Sequence, residues 1–235
     1  MNSDESNPAD LIIVGAGGAG QEALWVARRQ NEAGPSPVWT VVGFADDNPT
    51  LANTLIDGVP VLGSVRAVLV AFRGRNVRVH LAIGNNQRRK RLAKLWRDDG
   101  FRGATLVDPT AVIAPTALVG EGTFIGPLTI VAPHARVGNF VLINTHVGVG
   151  HHASVGDYAQ LCPGARVSGE CKIDSGAFVG SNAVVHPGQS IGEGAMIGAV
   201  SFVIRSVKPR HSVLGVPARI VSRPAENGLD AQSQP

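Results

Sequence analysis

Val107 to Lys208, cut into sixes, reads VDPTAV IAPTAL VGEGTF IGPLTI VAPHAR VGNFVL INTHVG VGHHAS VGDYAQ LCPGAR VSGECK IDSGAF VGSNAV VHPGQS IGEGAM IGAVSF VIRSVK. Seventeen hexads follow one another without an insertion, and each begins with Val, Ile or Leu. Gly stands second in eight of them and Ala fifth in nine. A hexad is long enough for one short strand and one turn, so three hexads close a triangular coil. The first-position aliphatic then points inward and stacks on its counterpart one coil away, at a strand spacing of about 4.8 Å. The small fifth residue fits inside the tight coil, and the second-position Gly is expected to ease the corner. A period of this kind predicts a parallel β-helix of just under six coils over 107–208. Beyond Lys208 the period breaks. Pro209, Pro217 and Pro224 are expected to stop a regular coil, so 209–235 reads as a C-terminal extension with a disordered tail, ENGLDAQSQP.

Upstream of the hexads the pattern changes. Leu11–Val14 is an apolar run ending in Gly15, Gln21–Asn31 has helical spacing, and Trp39–Phe44 is a second apolar run ending in Asp46-Asp47. Val59–Leu62 reads as a short edge strand, Val65–Phe72 as helix, Val77–Ile83 as a third main strand, Asn86–Asp98 as helix, and Ala104–Val107 as the closing strand. Strands alternating with helices predict a parallel sheet covered by helices, so 10–106 reads as an α/β, Rossmann-like domain. Residues 1–9 are polar and acidic, unlike a signal peptide, and are expected to be disordered.

Composition narrows the function classes. The 235 residues are 44% hydrophobic, 17% charged and only 5% aromatic, with 29 Gly, which suits a repetitive core of small aliphatics. A formal charge of +3 suits phosphate-bearing small ligands and is too weak to argue for nucleic acid. The basic run Arg88-Arg89-Lys90-Arg91 falls in a helical pattern and reads as a solvated helix face. No apolar run approaches the roughly 20 residues of a membrane span. The two cysteines, Cys162 and Cys171, are too few for a disulfide framework and read as packed small residues. The expected location is the cytoplasm.

Two motifs carry chemistry. Gly15-Ala-Gly17-Gly-Ala-Gly20 follows a strand and opens a helix, a geometry in which backbone N–H groups and the helix N-terminus approach a phosphate. Asp46 ends the second strand, where an acid can bind a ribose hydroxyl, so a dinucleotide is one possible ligand. His151 stands third in its hexad, outward and near a corner. A base there could take the proton that an amine must lose when it attacks a thioester.

The hexads, the ending Val-Leu-Gly-Val-Pro-Ala-Arg at 213–219, GAGGAG, Asp46-Asp47, Ala82-Ile-Gly84-Asn-Asn86, and Asn144-Thr145 ahead of His151 together resemble the bacterial nucleotide-sugar N-acetyltransferases, including those acting on UDP-4-amino sugars and GDP-perosamine. The resemblance runs from about Leu11 to Ile220. It implies a left-handed β-helix, a homotrimer with active sites between subunits, acyl-CoA (acetyl-CoA first) along the β-helix, and a nucleotide-linked amino sugar on the N-terminal domain. It implies His151 as general base, with Asn144 placing the amine or the His, and no resident metal, nucleic acid or membrane. Gly17, Gly18, Ala19, Asp46, Asp47 and Gly84 would contact the acceptor, and Gln160, Gly169, Ser181 and Ala199 the acyl-CoA.

Three departures stand out. The family often has His where Ala19 stands and where Gln160 stands; the Gln160 amide can still donate to a thioester carbonyl. It usually has Asp or Glu after the catalytic His, where this chain has His152. A neutral imidazole there can hydrogen-bond, a charged one would lower the pKa of His151, and Asp157 or Glu170 are the acids that could take over its support. Rival readings are a sugar or sialic acid O-acetyltransferase, a β-helix trimer that binds nucleotide without catalysis, and a zinc hydrase. The last would use the pair His146 and His151, but Thr110 stands two coils upstream, where a third His is needed.

Overall fold

The computed structural model describes residues 8–223. Of the stretches expected to be disordered, 1–7 and 224–235 lie outside the described residues; Ala9 is already the first residue of a strand.

The N-terminal half is a twisted sheet with helices on its faces. β1 (Ala9–Val14), β2 (Trp39–Ala45), β3 (Leu55–Ile56), β4 (Val59–Gly63), β5 (Val77–Leu81) and β6 (Arg102–Gly103) lie in the order β3-β4-β2-β1-β5-β6. All neighbours are parallel except β3 and β4. β1, flanked on both sides, is buried and apolar from Leu11 to Val14, as a doubly covered parallel strand must be. Helices α1 (Gly18–Ala33), α2 (Val65–Phe72) and α3 (Asn86–Asp98) connect the strands. Ser64 caps α2 through its hydroxyl to Ala67 N, and Asn85 caps α3 through its side chain to Arg88 N. Two expectations are corrected. β4 is not an edge strand, because the short hairpin partner β3 lies outside it. Ala104–Val107 does not close this sheet: β6 does, and Leu106–Val107 is already the first β-helix strand.

The second half is a left-handed parallel β-helix of three sheets. Each two-residue strand pairs with the strand eighteen residues later: Phe124 with Leu142, Ile130 with Gly148, Arg136 with Ser154. Three hexads therefore make one coil. Face 1 carries the strands stacked on Leu106–Val107, face 2 those stacked on Val112–Ile113, and face 3 those stacked on Leu118–Val119. The second residue of every strand is a hexad first position. From Ile125 onward these side chains are buried together with the fifth-position alanines in one continuous core.

The corner is turned at the fourth position, not the second. From Gly122 to Val200 every fourth-position residue has a left-handed φ, whether it is glycine (Gly164, Gly176, Gly188, Gly194) or not (His134, His146, His152, Glu170, Asn182). Second-position glycines serve a different need. A Cβ on Gly150 would lie 2.5 Å from the backbone N of Gly169, and one on Gly156 would lie 2.6 Å from Ser175 N. They are glycine because successive coils approach there with no room for a methyl group.

The coil also outlasts its period. Ile191 bridges Val207 and Met196 pairs with Ser212, sixteen residues on, so the last turn is shortened by two residues within 203–207. Pro209 does not stop it. Ser212–Leu214 joins face 1, and Arg219–Ser222 returns antiparallel along that strand and closes the edge.

The two halves are bolted together by polar groups. Arg89 of α3 is fully buried, which overturns its reading as part of a solvated face. Its Nε donates to Phe140 O (2.9 Å), Nη1 to Ile83 O (2.6 Å), and Nη2 to Asn86 Oδ1 (2.9 Å) and Tyr158 O (2.6 Å). Asn86 Nδ2 donates to Gly176 O (2.9 Å). On the other side of the sheet Arg29 Nε of α1 donates to the buried Asp108 Oδ2 (2.7 Å).

Candidate functional site

The loops after β1, β2 and β5 meet at the carboxyl edge of the parallel sheet, where ligands of such sheets bind. Within GAGGAG the glycines divide by role. Gly15 has φ +99 and a Cβ there would lie 2.7 Å from Ala82 O; a Cβ on Gly20 would collide with Gly15 O. Those two make the turn. Gly17 and Gly18 have nothing within 4 Å of where a Cβ would stand, and Gly17, Gly18 and Ala19 are exposed. Gly84 is open in the same way. These four residues leave an uncovered shelf at the N-terminus of α1.

The two acids brace that shelf. Asp46 Oδ2 accepts from Ala16 N (2.7 Å), and Oδ1 from Asn48 N (2.8 Å). Asp47 Oδ1 accepts from Val65 N (3.0 Å) at the start of α2, and Oδ2 pairs with Arg88 Nη2 (3.1 Å). Both carboxylates spend one lone pair per oxygen on the protein itself, so Asp46 is less available to a ribose than a free acid would be.

Asn144 faces the N-terminal domain. A small cleft between the halves is lined by Ala19, Glu22, His80, Ala82, Phe124, Leu142 and Asn144. It brings the shelf residue Ala19 and the face 1 residue Asn144 to one place. His80 in its floor is buried, with Nδ1 donating to Ala104 O (3.0 Å); burial pushes its pKa down to about 4, so the ring is neutral.

His151 and His152 are exposed at the corner between faces 2 and 3. The two Nδ1 atoms are 3.3 Å apart and the rings meet edge to face. The His152 ring stacks on His134 of the preceding coil, with centroids 4.9 Å apart. Gly169 lies directly above His151: a Cβ there would stand 2.6 Å from Nε2. The absent side chain leaves the Nε2 edge of the imidazole uncovered. Neither acid considered as support for His151 reaches it. Asp157 Oδ1 is taken by Asn139 N (2.7 Å), and Glu170 meets His151 only through its backbone N–H, donating to His151 O (2.9 Å).

The remaining residues frame face 2. Ser181 and Ala199 sit one coil apart at the corner between faces 1 and 2, where Ser181 O accepts from Val200 N (2.8 Å). His151 and Gly169 sit at its other corner. Face 2 itself carries a shallow groove of about 350 Å3 lined by Ile130, His146, Gly148, Arg166 and Ser168, in the coils before Ser181. Gln160 belongs to face 1; its Nε2 is directed at Cys162 Sγ (3.8 Å), and its Oε1 is buried without a partner. Cys162 and Cys171 are buried, and burial raises both thiol pKa values. His146 and His151 occupy opposite ends of the strand Gly148–Val149. Among the described residues no group of three His, Cys, Asp or Glu converges on a point.

One feature was missed from the sequence. The closing strand and the shortened coil form a cleft of about 790 Å3 lined by Arg205, Lys208, His211, Arg219 and Arg223. The density of cations after Val203 was its only signal. No helix among the described residues is long and apolar enough to cross a membrane.

Residues 10–95 match the PglD N-terminal domain family. No curated protein matches the sequence. PerB of Caulobacter crescentus is similar at 29% identity over 91% of this chain and 98% of its own, with a TM-score of 0.83. WeeI of Acinetobacter baumannii is 29% identical over 91% and 100%, with a TM-score of 0.80. The acetyltransferase domain of PglB from Neisseria gonorrhoeae, at 24% identity over 92% and 100%, shares the fold with a TM-score of 0.84. A PglD-type domain joined to a hexapeptide β-helix is matched nearly end to end by these proteins, which are similar to the chain in sequence and fold and mark it as an acyltransferase enzyme.

Proposed function

We propose that the chain transfers an acyl group, acetyl first, from acyl-CoA to the amino group of a nucleotide-linked amino sugar, with His151 as general base. The observation that carries the reading is the His151 imidazole, with Nδ1 against His152 and Nε2 left open by Gly169. The amine nitrogen attacks the thioester carbonyl and gives its proton to His151 Nε2. The C–S bond then breaks, and the departing thiolate takes that proton back, so no acyl-enzyme is needed. The open shelf of Gly17, Gly18, Ala19 and Gly84, braced by Asp46 and Asp47, suits the nucleotide, and Asn144 stands where the sugar amine would pass. The groove on face 2 suits the acyl-CoA arm, with Gly169, Ser181 and Ala199 at the corners of that face, Gln160 lies on the adjoining face, and the cationic cleft at the end of the β-helix suits its phosphates. PerB, at 29% identity, was solved with CoA and GDP-perosamine bound. A homotrimer would set face 2 of one subunit against its neighbour, and a cytoplasmic location would supply the donor.

The test is thiol release from acetyl-CoA against UDP-, dTDP- and GDP-linked 3- and 4-amino sugars, with wild type, His151→Ala and Gly169→Ala side by side. Turnover with one acceptor is expected, abolished in His151→Ala and reduced about 100-fold in Gly169→Ala, where the added methyl displaces the ring. No turnover in a folded protein that binds acetyl-CoA moves the acceptor to a sugar hydroxyl. Failure to bind acetyl-CoA overturns the reading.

A further inference from the structure

The catalytic base proposed above has no carboxylate behind it. Among the described residues no acid forms an ion pair with His151 or His152. What stands behind it is a second imidazole, and behind that a third. We infer that His151, His152 and His134 form a histidine relay in which His152 takes up and returns the Nδ1 hydrogen of His151 and His134 is a positioning residue that holds His152; the inference rests on the acyl-transfer reading of the site.

Two Nδ1 atoms 3.3 Å apart attract only when one carries hydrogen and the other offers a lone pair. A His151 that accepts at Nε2 must carry its hydrogen on Nδ1. His152 must then accept at Nδ1 and carry its own hydrogen on Nε2. When His151 Nε2 receives the amine proton, the charge can be shared across the Nδ1–H···Nδ1 bond. If the hydrogen crosses, His151 is again neutral, now protonated at Nε2, and His152 is the cation; when the departing thiolate takes the Nε2 proton, the hydrogen returns to His151 Nδ1 and both starting tautomers are restored. Only the pair with no extra proton is active, because in the singly charged pair with the proton on His152 the His151 Nε2 is already occupied.

His134 sets the geometry. His134 and His152 occupy the same corner position in successive coils, both with left-handed φ, and their rings stack with planes 30° apart. A neutral His134 ring offers a π face to a charged His152. The other charged groups around the pair are Glu170, at the same corner position in the next coil, and Arg136 and Lys172, which begin the face 3 strands on either side of Ser154. Glu170 favours the charged pair, and the two cations oppose it.

Sharing the charge stabilises the pair at the moment the amine loses its proton, because the hydrogen bond to an ionised donor is stronger than that between neutral rings. In His152→Ala kcat should fall about tenfold while KM for acetyl-CoA is kept. His134→Ala should lower kcat by less, and His134→Phe, which keeps a stacking face, should restore it. A purely structural role would move KM together with kcat. Independently of turnover, imidazole 15N shifts of the neutral rings in the full chain should show His151 protonated on Nδ1 and His152 on Nε2, and in His152→Ala the His151 hydrogen should move to Nε2. The opposite tautomers in wild type, or a His151 tautomer unmoved in His152→Ala, overturn the relay. If no acceptor turns over, the acyl-transfer reading fails separately, and the 15N tautomers still decide the relay.

Discussion

Replacing Arg89 by Met removes the buried cation that joins the halves while keeping most of its aliphatic volume. The four closest hydrogen bonds, to Phe140 O, Ile83 O, Asn86 Oδ1 and Tyr158 O, are each worth about 1.5–3 kcal/mol for a charged donor. Burial without an acidic partner opposes them and pushes the guanidinium pKa down to about 10. The side chain stays charged throughout the neutral range, so its partners lose a cation when it goes. Three carbonyls between α3 and the β-helix would then be buried without donors. The net loss should be about 3–5 kcal/mol, the usual cost of breaking a buried ionic cluster from one side. Urea unfolding followed by the fluorescence of buried Trp96 on α3 and by far-UV circular dichroism measures it. The N-terminal domain should unfold at lower urea than the β-helix, splitting the two signals. A loss under about 1 kcal/mol, with coincident signals, would refute the view that Arg89 couples the halves.

Three further outcomes rest on the same kind of accounting. His80 has a folded pKa near 4, below the ordinary His value, so between about pH 6.5 and pH 4 the unfolded chain binds a proton that the fold does not. Stability should therefore fall with falling pH over that window by about 3 kcal/mol from this residue, and His80→Met should flatten the slope of the pH-dependent unfolding free energy. Gly150→Ala forces a methyl against the next coil's backbone and should cost about 1–3 kcal/mol in chemical denaturation, or more if the coil cannot shift. Gly188→Ala meets open space at φ +71 and should cost only the left-handed strain of about 1 kcal/mol.

The sequence by itself determined the β-helix, because stacking aliphatics at one pitch leaves a period that local reading can count. It also marked α2 and α3 to the residue, where caps and apolar spacing agree. The glycine loop was legible as a turn and a shelf, but only close approach separates Gly15 and Gly20, which make the turn, from Gly17 and Gly18, which leave space. Tertiary structure alone decided the rest. Arg89 looked like a surface cation since its partners are carbonyls at Phe140 and Tyr158, more than fifty residues away. The Gly at hexad position two was read for flexibility when it answers to the neighbouring coil, and the coil past Pro209 survives through pairing with strands sixteen residues back. His134 joined His152 for the same reason. A residue's neighbour in a β-helix is the one a full coil away, and no local pattern records what that neighbour's side chain will do.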